Sequence, residues 1–111
     1  VAEERLIRGV VTSAPSFVRG MKRVKDPQRQ QAIRQTLRQL LFVDLDAPPA
    51  ALHLHQLTAK KVPSALHEGT KVTPWTVHLT RDDTLKASFT LEDGTAYFRV
   101  CDEHDIVDKF P

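Results

Sequence analysis

The chain has 111 residues, 41% hydrophobic and 27% charged, with a formal net charge of +2. That is enough for a single domain, residues 1–111, with one modest core, and no run approaches the ~20 apolar residues that a membrane helix needs. The one cysteine, Cys101, excludes an intrachain disulfide framework and fits a reducing, cytoplasmic compartment.

The charge is unevenly spread. Residues 1–43 hold nine Lys and Arg against three Asp and Glu, and residues 44–111 hold seven against eleven. A basic half can attract nucleic acid through its phosphates, or can be the solvated face of helices.

In chain order, Arg8-Gly9-Val10-Val11-Thr12 reads as a first strand. Ser13 suits the N-cap of a helix with Pro15 in its first turn. That helix carries Phe17, Val18, Met21 and Val24 at helical spacing up to Lys25. Asp26 and Pro27 suit the N-cap and N1 of a second helix to about Leu41, with Ile33, Leu37, Leu40 and Leu41 on one face. Pro48-Pro49 marks a loop. Leu52-His53-Leu54-His55-Gln56-Leu57 alternates like a short strand, and a long connection follows from Thr58 to Thr73.

The stretch Trp75 to Asp105 then reads as a three-stranded antiparallel meander. Its turns are Arg81-Asp82-Asp83 and Glu92-Asp93-Gly94, the second of them the strongest short hairpin signal. Alternation places Trp75, Val77, Leu79, Leu85, Ala87, Phe89, Leu91, Ala96, Phe98 and Val100 on an apolar face. Thr76, His78, Thr80, Lys86, Ser88, Thr90, Tyr97, Arg99 and Cys101 form the other, which is polar and cationic. The expected architecture is α+β: an N-terminal strand and an antiparallel helical hairpin packed on a three- to four-stranded antiparallel sheet. The first strand joins at an edge or beside the last.

This order resembles the RelE/ParE superfamily of bacterial toxins. The likeness rests on the helical hairpin, on His55-Gln56-Leu57 before the sheet, and on the ending Arg99-Val100-Cys101-Asp102-Glu103-His104-Asp105-Ile106-Val107. The histidine pattern is most similar to the YafQ-like branch of messenger-RNA endonucleases. It has a His ahead of the first meander strand (His55), a His on that strand (His78), an Asp in the following turn (Asp82 or Asp83) and a His after the last strand (His104). Two positions depart from the family. Lys86 stands where the RelE branch has arginine, keeping the charge without the bidentate fork. Asp108 stands where an aromatic usually follows the terminal His, with Phe110 the nearest substitute.

The resemblance implies a metal-independent endoribonuclease without cofactor, acting on messenger RNA at the ribosome, with a cognate antitoxin as protein partner. The ribose 2′-hydroxyl attacks the adjacent phosphate. His78 and His104 share the base and acid roles, which suit imidazole at neutral pH. His55 and one of Asp82 and Asp83 assist. Lys86, Arg99, Arg81, Lys60 and Lys61 meet phosphate, and Tyr97 stacks a base. Each has a plainer reading: an exposed strand histidine, a turn aspartate, a solvated lysine, a cross-strand tyrosine. The ParE branch offers a rival, inhibition of DNA gyrase by binding alone, and a diverged member that only binds its antitoxin is the third. Two weaker alternatives are a zinc pair at His53-x-His55 and a thiol nucleophile at Cys101.

Overall fold

The computed structural model describes residues 6–80 and 84–111, without the side chains of Ala51 and His104. The described elements are, in order, β1 (Gly9–Val11), α1 (Pro15–Lys22), α2 (Pro27–Gln39), β2 (His55–Gln56), β3 (Val62–Pro63), β4 (Lys71–Val72), β5 (Trp75–His78), β6 (Leu85–Glu92), β7 (Thr95–Glu103) and α3 (His104–Lys109). A 3-10 turn at Ala50–Leu52 precedes β2. No described helix is long and apolar enough to cross a membrane.

The fold is α+β, with a five-stranded sheet in the order β1-β7-β6-β5-β2 and a separate two-stranded ribbon, β3-β4. The meander β5-β6-β7 is antiparallel, as the alternation requires. The sheet is larger than three or four strands and is mixed, because β1 returns parallel to β7. The turn between β6 and β7 places both Asp93 and Gly94 at positive φ, 51° and 77°, the pair of left-handed conformations that two-residue hairpins favour.

Asp26 caps α2, its carboxylate accepting the Gln28 amide at 3.0 Å, with Pro27 at the first helical position. The N-cap of α1 is Ala14, not Ser13, and it makes no side-chain cap bond. Pro15 already lacks one of the orphan donors that a cap would satisfy. The second helix stops at Gln39, so Leu41 falls beyond it and stays 41% exposed, whereas Ile33 and Leu40 are fully buried. Phe17 of α1 meets Phe98, which also meets Phe89, at centroid separations of 5.2 and 5.1 Å. These rings form the centre of the core between the helices and the sheet.

Strand β7 breaks its own alternation. Ser88 pairs with Val100 but Phe89 pairs with Phe98, leaving Arg99 as an extra residue in a bulge. A bulge exchanges the faces of the residues beyond it. Cys101 therefore enters the core at 2% exposure, and Val100 shares the face of Ser88. Both assignments are the reverse of simple alternation.

The other correction concerns the polar face. It is a buried surface: Thr76, Lys86, Ser88 and Thr90 are all at most 4% exposed. Two pieces that the sequence reading left irregular cover it. The long connection contains the β3-β4 ribbon, held when Ser64 and the Ala65 amide donate to the Glu92 carboxylate. The tail after Glu103 is the helix α3, which packs on β6 and β7 with Val107 fully buried. The sheet thus lies between two layers.

Candidate functional site

At one end of the covered face, the pairing registers set out a row of ionisable side chains. His78 is opposite Lys86, and Lys86 is opposite Asp102. On the other side of β5, His55 is opposite Thr76, so His53 arrives across from His78. Its backbone is left-handed, at φ 47°, where the 3-10 turn ends. That conformation swings the ring onto His78, with centroids 4.6 Å apart and planes 21° from parallel. His55, directly opposite Thr76, presents its side chain on the same face as His78. The diagonal between the two positions is about 7–8 Å. Three imidazoles therefore gather at the β2-β5 edge.

His78 is half-buried and also lines an open groove of about 510 Å³ between α2 and the end of β5. Asp26, Arg29, Gln35, Thr36, Gln39 and Thr80 are among its polar lining. Arg29 donates to the Thr84 hydroxyl, which brings its guanidinium from the helix to the start of β6. The sequence reading assigned Arg29 no role. Its signal was only that the second helix is basic on the side away from Ile33.

Lys86 does not point into solvent. Its ammonium is 2.7 Å from the Asp108 carboxylate of α3, so these two side chains are paired with each other. Arg99 is also occupied within the chain. Its Nε donates to the Pro111 carbonyl and its NH1 to the Pro63 carbonyl, each at 3.3 Å. Burial pulls the Arg99 guanidinium below its ordinary value, and the nearby Glu92 carboxylate opposes that shift. The guanidinium nevertheless stays charged at any physiological pH.

Comparison with protein-family models, curated proteins and solved structures finds no match.

The remaining residues fall in several places. The backbone of His104 begins α3 directly after β7, at the same end of the sheet as His78 and two strands across, about 10 Å away. Arg81, Asp82 and Asp83 lie outside the described residues. Lys60 donates to the Lys109 carbonyl at 3.3 Å, joining the connection to α3. Lys61 donates to the Thr73 hydroxyl at 2.6 Å, at the base of the ribbon and away from the histidines. Tyr97 is half-buried opposite Thr90. Cys101 offers no nucleophile at neutral pH. Burial first, and then Asp102, push its thiol up to about 11, with Arg23 opposing. His53 and His55 are not a strand pair in mutual alternation, since β2 begins at His55. Among the described residues, no group of three His, Cys, Asp or Glu is placed to hold a metal ion.

The arrangement offers proton transfer next to a charged groove. Imidazole is a side chain that can both give and take a proton, so the chemistry of this cluster is proton transfer. Hydrogen-bond donors from α2 line the open side. The groove gives a substrate one open approach to His78.

Proposed function

We propose that this chain is a toxin of RelE/ParE type that cleaves messenger RNA, with the histidine-lined end of the β2-β5 edge as its active site. The observation that carries this reading is the ring stack of His53 on His78 at 4.6 Å, with His55 on the same face and Arg29 in the adjoining groove. The α+β layer order, with β1 beside β7 and a helical hairpin on the apolar face, supports the same reading.

In the reaction, an imidazole takes the proton of a ribose 2′-hydroxyl. The oxygen attacks the adjacent phosphorus, and the bond to the 5′-oxygen breaks as an acid protonates that oxygen. The products carry a 2′,3′-cyclic phosphate and a 5′-hydroxyl. We assign one proton transfer to His78 and the other to His104 at the start of α3. His55 and one of Asp82 and Asp83 assist. Arg29 lines the groove beside His78, and we assign it to the charge building on the phosphate. Each proton-transfer role is worth about 10²–10⁴ in rate. The antitoxin partner and the ribosome as the place of action belong to the same proposal.

One observation favours a second reading. Both cations of the sheet face, Lys86 and Arg99, are satisfied inside the chain, as they would be in a ParE-like inhibitor that binds DNA gyrase without cutting RNA. The deciding experiment supplies the pure protein to translating ribosomes and maps the new 3′ ends, with a gyrase supercoiling assay beside it. Cuts by the parent protein that fall at least about 100-fold in His78→Ala support the nuclease. Gyrase inhibition with intact RNA sinks it in favour of the second reading.

A further inference from the structure

At the opposite end of the sheet, a second cleft of about 830 Å³ opens between the β3-β4 ribbon and the turn joining β6 to β7. That volume is within the roughly 300–1,000 Å³ typical of small-ligand sites. Three cations from separate elements line it: Arg8 just before β1, Lys61 just before β3, and Lys71 on β4. Lys61 lies opposite Thr73 in the extended register of the ribbon and donates to its hydroxyl. Lys61 and Lys71 therefore stand on one ribbon face at diagonal positions, about 7–8 Å apart. Arg8 comes from the facing wall. Its backbone amide donates to the Gly94 carbonyl at 2.6 Å, and its aliphatic stem lies where a side chain at position 94 would begin.

The acidic groups of this cleft are Glu92 and Asp93. Glu92 is already engaged by Ser64, Ala65 and Thr90, and among the described residues neither Lys61 nor Lys71 has a carboxylate partner. With Glu92 and Asp93 set against Arg8, Lys61 and Lys71, and His67 left out of the count, the formal charge of the lining is +1. Most of the lining is polar; Leu66 and Leu91 contribute to it, and Trp75 reaches it from the core, where it is buried. Cations held on separate walls of one cleft suit the successive phosphates of a single strand.

We infer that this cleft holds a phosphate-bearing segment of single-stranded RNA, outside the cutting site. RNA as the ligand rests on the proposed nuclease reading. Trp75 and His78 are the two ends of β5, about 10 Å apart, so one strand of RNA can reach both places. The cleft would then anchor the RNA while the histidine end acts on it.

The test is fluorescence anisotropy of the full chain with a labelled, unstructured oligouridylate of about ten nucleotides, over a range of salt. The variant is Lys61→Glu with Lys71→Glu, both exposed ribbon residues, with circular dichroism to show that it is folded. The expected result is at least a tenfold loss of affinity and a log–log salt slope shallower by about 1.4, the value for two single-strand phosphate contacts. Equal affinity of parent and variant overturns the inference. So does parent affinity for polyglutamate that matches that for RNA and shows the same lysine dependence, or failure of the parent to bind the oligonucleotide. Binding and cleavage are read separately. Lysine-dependent binding without any RNA cleavage keeps this cleft and removes the nuclease reading, and cleavage lost only in His78→Ala with unaltered lysine dependence keeps both.

Discussion

The ammonium of Lys86, 5% exposed, lies 2.7 Å from the carboxylate of Asp108, 35% exposed, and this contact fastens α3 to the central strand β6. Lys86 comes from β6, where the alternation points it away from the core, and α3 closes over it. A buried cation is costly to leave unpaired. We expect Asp108→Ala to destabilise the fold by about 2–3 kcal/mol, below the 3–5 of a fully buried pair because the carboxylate is partly hydrated. The double variant Lys86→Met with Asp108→Leu should recover most of that loss, since matched apolar groups can replace a buried pair at little cost. Urea unfolding of the three proteins measures both effects. A double variant no more stable than Asp108→Ala would mean that the pair does more than neutralise charge.

Glu92 links stability to pH through the ribbon. Burial alone would raise its carboxyl, but hydrogen bonds from Ser64, Ala65, Thr90 and Leu66 outweigh that and hold it below its ordinary 4.5. A carboxyl that is lower in the folded state stabilises that state above its unfolded value. The contribution is lost as pH falls through the lowered folded value. The ribbon should therefore be fully held at neutral pH and loosen in acid below pH 4.5. Glu92→Gln should cost about 1–2 kcal/mol at pH 7, the difference between charged and neutral acceptors, and should remove this part of the acid dependence. Amide exchange at Ala65 across the acid range reads it. Parallel pH profiles for parent and variant would refute the linkage.

The parts legible in sequence were those set by local chemistry. Asp26-Pro27 announces a helix start, and Asp93-Gly94 announces a hairpin, because each needs only its own backbone. The two-residue period of Trp75 to Leu91 gives the core face correctly, Trp75, Val77 and Phe89 all being buried. What failed depended on distant partners. The bulge at Arg99 adds one residue and exchanges Val100 with Cys101, which no composition signals. The covering of Lys86 required α3 to fold back, and its helical run of six residues is too short to stand out by periodicity. At the candidate site, His78 and His55 were readable as residues on a polar face. His53 was readable only as the other half of a pair with His55, because its place beside His78 depends on a left-handed residue and the register of β2 on β5.

Gly20 illustrates a contact where propensity gives the wrong sign. It lies within α1, where alanine is ordinarily better by about 1 kcal/mol. Here the helix presses on β7 so closely that a Cβ at position 20 would stand 2.1 Å from the Cys101 carbonyl oxygen. The obstacle is backbone on both sides, so no side chain can turn aside. Gly20→Ala should therefore destabilise by about 1–3 kcal/mol, the usual range for overpacking, despite its gain in helix propensity. Thermal and urea unfolding give the sign directly, and a more stable variant would show that α1 can slide off the strand.

His53 separates the fold from the chemistry. Its φ of 47° costs a side chain about 1–2 kcal/mol, and glycine is released from that cost. Glycine also makes the unfolded chain more flexible, by about 0.4–1 kcal/mol, and loses the ring contact. These effects nearly cancel, so His53→Gly should be within about 1 kcal/mol of the parent in stability. Function should not be spared. If the stack fixes the His78 imidazole against the scissile phosphate, its loss lets that ring wander, and misplacement of about 1 Å can cost up to 10²-fold in rate. We therefore expect His53→Gly to fold normally and to cleave ribosome-bound RNA about 10- to 100-fold more slowly. His53→Asn, which tolerates the left-handed backbone but has no ring, should match it. Parent-level cleavage by both variants would limit His53 to terminating the 3-10 turn and leave His78 to act without it.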